Sequence, residues 1–102
     1  MQEKVENFNQ NKTAHKKPMP LSARLLDIQS ELGELSKEYL SATKYGTENF
    51  IANEDFKLEF GDTLYSLLSL AVETNINAED CLDKVLKKYA ERLNNKNNMG
   101  SN

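Results

Sequence analysis

The stretch EFGDTLYSLLSLAVE, residues 59–73, decides the fold class because it is apolar on two sides of a helix. Leu64 and Leu67 lie on one side, three residues apart, whereas Tyr65 and Val72, seven residues apart, lie on the other. A helix with two apolar faces must be covered on both of them. The stretch therefore predicts the central helix of an all-α domain.

The polar residues of this helix are confined to one narrow sector. That sector contains two carboxylates, Glu59 and Asp62, together with Ser66, Ser69 and Glu73. At about 100° per residue, these positions follow one line along the helix. Because most of the remaining helix surface is apolar, we expect this sector to face the interior or a cleft.

A second pair of carboxylates with the same spacing lies upstream, in ELGEL at residues 31–35. Glu31 and Glu34 lie together on one side of an apolar stripe that recurs at steps of three and four residues through residues 21–40, which predicts another long helix. The stripe consists of Leu21, Leu25, Ile28, Leu32, Leu35 and Tyr39.

Local signals mark the ends of the helices. A short N-terminal helix is predicted within residues 2–10, and Gly46 predicts a turn between the two long helices. Asn53 and Asn77 are each followed by acids in the first turn, so both are predicted N-caps. The third main helix, which begins after Asn77, is predicted to end near Leu93.

The resulting prediction is one all-α domain over residues 1–102, a small helical bundle with a core of three main helices plus the short N-terminal helix. An N-terminal segment with a basic, proline-containing loop occupies residues 1–20, the helical core 21–93, and a mobile polar tail 94–102. One chain has few helices to cover both apolar faces of the central helix. We therefore expect oligomerisation to complete the bundle, with another chain packed against Tyr65.

Composition narrows the classes of function. The chain has 102 residues, a net charge of −3 and one cysteine, Cys81. The negative charge argues against nucleic acid as the main partner, and a single cysteine fits a reducing compartment. No apolar run approaches the ~18 residues of a membrane span. We therefore expect a cytoplasmic protein with no nucleic-acid or membrane partner.

The four carboxylates present a physical problem that a cation would solve. Glu31, Glu34, Glu59 and Asp62 border apolar surfaces, where like charges repel and are poorly solvated. Oxygen ligands favour Mg²⁺, with Mn²⁺ as a substitute, and the sequence has no Cys/His cluster for zinc. The lone His15 lies in the basic loop and is expected to be exposed rather than a ligand. A solvated acidic face is the alternative interpretation.

A row of basic residues in the third main helix points to phosphate. Lys84, Lys88 and Arg92 recur at four-residue steps along the edge of an apolar stripe. Cations beside a carboxylate–metal cluster would complement the charge of a substrate's phosphates; a solvated basic edge is the alternative. The stripe consists of Leu82, Val85, Leu86, Tyr89 and Leu93.

Two segments, RLLDIQSELGELSKEYL at residues 24–40 and LEFGDTLYSLLSLAVETNINAEDCLDKVLKKYAERL at 58–93, resemble the MazG-like nucleoside triphosphate pyrophosphohydrolases of the all-α NTP pyrophosphatase superfamily. The resemblance rests on E-x-x-E followed after a gap by E-x-x-D. It rests more specifically on GEL, GD-x-L and the ending KY-x-x-R.

The resemblance implies Mg²⁺-dependent hydrolysis of a (d)NTP between its α and β phosphates, giving a (d)NMP and pyrophosphate, as in cleansing of the nucleotide pool. It also implies a homodimer or homotetramer. One of the four acids would act as the general base, and Glu34 is one candidate among them. The metal ligands implied are Glu31, Glu34, Glu59 and Asp62, and the phosphate-binding residues implied are Lys88 and Arg92, with Lys84 on the same edge.

The sequence also departs from the family's pattern. Leu86 stands where some relatives have Asn, and the absence of Trp leaves base recognition open. Two other functions remain as alternatives at this point. One is a non-catalytic helical interaction module with an acidic face, and the other is a phosphoribosyl-ATP pyrophosphohydrolase.

Overall fold

The computed structural model describes residues 1–13 and 19–100, which form four helices and contain no strand. The helices are α1 (Gln2–Thr13), α2 (Leu21–Ala42), α3 (Glu54–Glu73) and α4 (Ala78–Gly100). The prediction of a small all-α bundle is therefore confirmed for this part of the chain. None of the helices described is long and apolar enough to cross a membrane. His15 lies outside the described residues.

The predicted helix caps are confirmed. The backbone N–H of Phe56 donates to the side-chain oxygen of Asn53 at 2.8 Å. The backbone N–H of Asp80 donates to the side-chain oxygen of Asn77 at 3.1 Å. Gly46, in the turn between α2 and α3, has a φ of +86°, a left-handed conformation that glycine adopts without strain. Local side-chain chemistry therefore fixes where α3 and α4 begin.

The predicted end of the last helix near Leu93 is wrong, because α4 continues to Gly100. Residues 94–99 contain no proline or glycine, so nothing in the backbone stops the helix before Gly100. The segment predicted as a polar tail is thus helical through Gly100, and residues 101–102 lie outside the described part.

The α2 and α3 helices pack together in antiparallel directions, and α1 packs against α3. The rings of Phe8 in α1 and Tyr65 in α3 form a T-shaped pair, with 5.9 Å between ring centroids. The Tyr65 hydroxyl donates to the side-chain oxygen of Asn9 at 2.6 Å. Tyr65 was expected to be covered by another chain. It is covered instead by α1 of the same chain.

A hydrogen-bonded pair joins the first helix to the start of the last. The side-chain amide of Gln2 donates to the carbonyl oxygen of Ile76 at 2.8 Å. Its amide oxygen accepts from the backbone N–H of Ala78, the first residue of α4, at 2.9 Å. Gln2 thus satisfies one of the unpaired N–H groups at the N-terminus of α4.

The apolar core of the single chain is thin. Among the described residues, Leu68 and Ala71 are the buried hydrophobic side chains, whereas Leu82, Leu86 and Tyr89 of α4 are 56%, 53% and 51% exposed. The α4 helix contacts the other helices only slightly. The radius of gyration is 18.2 Å, well above the ~13 Å typical of a compact chain of this length. In contrast to the predicted arrangement, α1 rather than α4 packs against the α2–α3 pair.

Candidate metal centre

Three carboxylates meet where the middle of α2 faces the first half of α3. Glu31, Glu59 and Asp62, here called the acid cluster, each place one oxygen so that the three atoms lie within 4.8 Å of one another. Glu31 and Glu59 are half-buried and Asp62 is exposed. Like charges this close raise the free energy of the folded chain unless a cation binds between them or a proton is taken up.

Helix geometry explains the convergence. Glu59 and Asp62 are three residues apart, so both lie on the side of α3 that meets α2. The antiparallel packing then brings Glu31 of α2 opposite them. This confirms the prediction that the polar sector of the central helix faces the interior or a cleft.

Glu59 carries the clearest sign of a missing partner. Its Oε2 atom is buried and has no hydrogen-bond partner among the described residues. Burial raises the pKa of the Glu59 carboxyl; the negative charges of Asp62 and Glu31, a hydrogen bond between the Glu59 and Glu31 carboxyl groups, and the charge of Glu34 raise it further. A buried carboxylate oxygen without a partner is costly, and a hard cation held by several oxygens would satisfy it. The acid cluster therefore fits Mg²⁺.

The raised pKa of Glu59 predicts a pH dependence of stability in metal-free buffer. Because the folded chain binds this proton more tightly than the unfolded chain, the carboxyl destabilises the fold at neutral pH. That penalty is relieved as the pH falls from the raised pKa towards the ordinary value of 4.5. Glu59→Gln removes the titration, so it should stabilise the protein at neutral pH and progressively less in acid. Urea unfolding in EDTA across this range measures the difference; parallel pH profiles for the two proteins would contradict it.

Glu34 lies beside the acid cluster but is not one of its three members. Its negative charge contributes to the raised pKa of Glu59, which places it nearby. Its Oε1 is 3.7 Å from Nζ of Lys37, and its side chain is 48% exposed. Of the four acids predicted as ligands, the structure thus brings three within ligand distance of one another and leaves the fourth adjacent to them.

The basic row is not in contact with the acid cluster of its own chain. Lys84, Lys88 and Arg92 are exposed on α4. The Nζ of Lys88 lies 5.7 Å from the ring centroid of Tyr89. Within the described part of the chain, no ion pair joins this row to the acid cluster. The basic row therefore does not neutralise the cluster within one chain.

A second polar cluster lies beside the first, and sequence reasoning missed it. Arg24 is 6% exposed; its Nη2 donates to Oε1 of Glu73 at 2.9 Å and its Nη1 to Oδ2 of Asp27 at 3.5 Å. The Ser66 hydroxyl donates to the same Asp27 oxygen at 2.8 Å. Burial lowers the pKa of Arg24, but hydrogen bonding and charge pairing with Glu73 outweigh it and raise the pKa overall. The signals in the sequence were the three-residue spacing of Arg24 and Asp27 and the position of Ser66 and Glu73 in the polar sector of the central helix.

Comparison with known proteins places the chain in a family. No protein-family model matches it, and no solved structure matches it significantly. It is 34% identical over 96 residues to YpjD of Bacillus subtilis (strain 168), an uncharacterized protein, and the match covers 90% of this chain and 82% of YpjD. The chain belongs to the YpjD family. Because the match spans most of both chains, membership in the YpjD family rests on the whole helical domain rather than on a short motif.

Proposed function

We propose that the chain is a Mg²⁺-dependent nucleoside triphosphate pyrophosphohydrolase that acts as a homo-oligomer. The observation that carries this proposal is the acid cluster, one of whose members, Glu59, has a buried Oε2 atom without a hydrogen-bond partner among the described residues. Mg²⁺ is typically held by a few carboxylates together with substrate phosphates, so a polyphosphate is the ligand class that suits such a site. The resemblance of residues 24–40 and 58–93 to MazG-like enzymes supports the same reaction.

In the proposed reaction, water attacks a phosphorus of the α–β anhydride and the bond to the bridging oxygen breaks. The products are a nucleoside monophosphate and pyrophosphate. Bound Mg²⁺ would neutralise the phosphate oxygens as charge develops on them. The acid cluster would hold the ion and orient the triphosphate.

Glu34 is the proposed general base. It lies beside the acid cluster, and its side chain is 48% exposed and so accessible to a water molecule. A carboxylate that is not committed to the metal can accept the proton that the attacking water releases. Its separation from the other three acids supports this role over that of a direct metal ligand.

We propose that the basic row binds the phosphates of a substrate held by a second copy of the chain. Lys84, Lys88 and Arg92 lie on a helix that contacts its own α2 and α3 only slightly. The thin core and the exposed stripe of α4 supply apolar surface that a second copy would cover. A homodimer is the simplest closed arrangement, and a homotetramer would be a dimer of dimers.

The test is a screen of the common NTPs and dNTPs and of phosphoribosyl-ATP, scored for pyrophosphate release. We expect release from at least one nucleotide, loss of activity in EDTA, and recovery with Mg²⁺ or Mn²⁺. A preference for phosphoribosyl-ATP would reassign the substrate. No release from any nucleotide, with folded protein and saturating Mg²⁺, would overturn the proposal and favour an interaction module whose acidic face binds a basic partner.

A further inference from the structure

We infer that Arg24, Asp27 and Ser66 form a positioning device that sets the register of α2 against α3 and thereby holds the acid cluster together. The inference rests on the proposed metal site, and it concerns side chains that are not themselves in the cluster. Its basis is the geometry of the hydrogen bonds that cross between the two helices.

The crossing bond is adjacent to the acid cluster on both helices. Asp27 lies four residues before Glu31 in α2, and Ser66 lies four residues after Asp62 in α3. Each is thus about one helical turn from a cluster carboxylate on the same side of its helix. The bond from the Ser66 hydroxyl to Asp27, at 2.8 Å, ties the two helices at this point. A slide of α2 by one turn would break this bond and separate the cluster carboxylates.

Arg24 orients Asp27 and compensates its charge. The guanidinium bonds to Glu73 through Nε at 3.2 Å and through Nη2 at 2.9 Å, and it reaches Asp27 through Nη1 at 3.5 Å. Asp27 is therefore engaged by a cation and a hydroxyl, which keeps it from adding a fourth negative charge to the cluster. Buried charged networks often contribute little net stability because desolvation is costly. Fixing one arrangement of the helices is the contribution that this network can make.

The chain offers a matched pair of substitutions for a test. Ser66 is 3% exposed and Ser69 is fully buried, and both lie on α3. The Ser69 hydroxyl accepts from the side-chain amide of Asn9 in α1 at 3.1 Å, so this hydrogen bond joins α3 to α1. Ser66→Ala and Ser69→Ala remove the same group and change no charge. Only the first breaks the bond beside the acid cluster.

The readout is the dissociation constant for Mn²⁺, measured by electron paramagnetic resonance of the free ion, with helix content checked by circular dichroism. We expect Ser66→Ala to weaken Mn²⁺ binding about tenfold, the low end for residues that support metal ligands, and Ser69→Ala to bind like wild type. Arg24→Lys keeps the charge but loses the forked geometry, so it should weaken binding in the same direction.

Three results would overturn the inference. Equal affinity in all the variants would show that the crossing bond does not position the acid cluster. Equal weakening in Ser66→Ala and Ser69→Ala would assign the effect to a general loss of packing. Absence of Mn²⁺ binding in the wild type would remove the metal site itself, and the inference with it.

Discussion

Asp62→Asn should lower Mg²⁺-dependent pyrophosphate release about 100-fold or more and abolish tight Mn²⁺ binding, because it removes one ligand of the proposed ion. The folded state should survive the change. Removing one of several mutually repelling anions relieves strain, so the free energy of unfolding in EDTA should be unchanged or higher. Pyrophosphate release, Mn²⁺ affinity and urea unfolding measure the three effects.

Glu34→Gln separates the roles of the acids. If Glu34 is the general base rather than a ligand, this variant should lose turnover as severely as Asp62→Asn yet keep Mn²⁺ affinity near that of wild type.

Asp55→Asn is the matched control, since it makes the same change at an exposed position of α3 outside the acid cluster. Full activity in Asp62→Asn, or an equal loss in Asp55→Asn, would remove the site assignment.

Leu86→Glu should dissociate the proposed oligomer. Leu86 lies in the middle of the exposed apolar stripe of α4, and an unpaired carboxylate buried in an interface costs several kcal/mol. A loss of that size weakens association by roughly 100-fold or more, which light scattering or analytical ultracentrifugation at micromolar concentration would detect. Activity should fall together with the assembly, although residue 86 is not assigned to metal or phosphate.

Asn94→Glu is the control for this substitution. It adds the same charge to α4 on a side away from the apolar stripe, where the residue is exposed. We expect it to assemble like wild type. A wild-type chain that is monomeric at micromolar concentration would contradict the oligomer directly.

The same assembly can be tested through activity in mixtures. If Arg92 serves the site of a second copy, Asp62→Asn and Arg92→Ala should each be inactive alone but active after subunit exchange. With random pairing, half of the dimers are mixed, and each mixed dimer has one intact site out of two. The mixture should therefore show about a quarter of wild-type activity. If mixing restores no activity, the basic row does not serve the site of a second copy and acts instead within its own chain.

Features that depend on local chemistry could be predicted from the sequence. Asn53 and Asn77 cap their helices because a side-chain oxygen two or three residues from an unpaired N–H needs no tertiary partner. The three-residue spacing of Glu59 and Asp62 likewise predicted that both side chains lie on one face of α3. Their convergence with Glu31 followed from burying that face against α2.

Features that depend on how helices meet could not be predicted in the same way. Hydrophobic periodicity reports burial rather than helix formation, which is why α4 was expected to end near Leu93 although it continues to Gly100. Asp27 lies on the same side of α2 as Glu31, yet in the fold it bonds to Arg24 and Ser66 and is not part of the acid cluster. The partner of a polar side chain across a helix pair is set by register, which no single-helix pattern contains.

The pair of hydrogen bonds between Gln2 and the start of α4 holds one end of that helix, so a small tilt at this end moves the other end by a larger distance. With 23 residues, α4 is about 34 Å long, and it contacts the other helices only slightly along that length. A tilt of about 10° at its base would swing the far end by about 6 Å. Arg92 lies 14 residues, or about 21 Å, from the start of α4, so the same tilt would move it by about 4 Å. A change in the two hydrogen bonds that Gln2 makes at the start of α4 would therefore alter the position of Arg92.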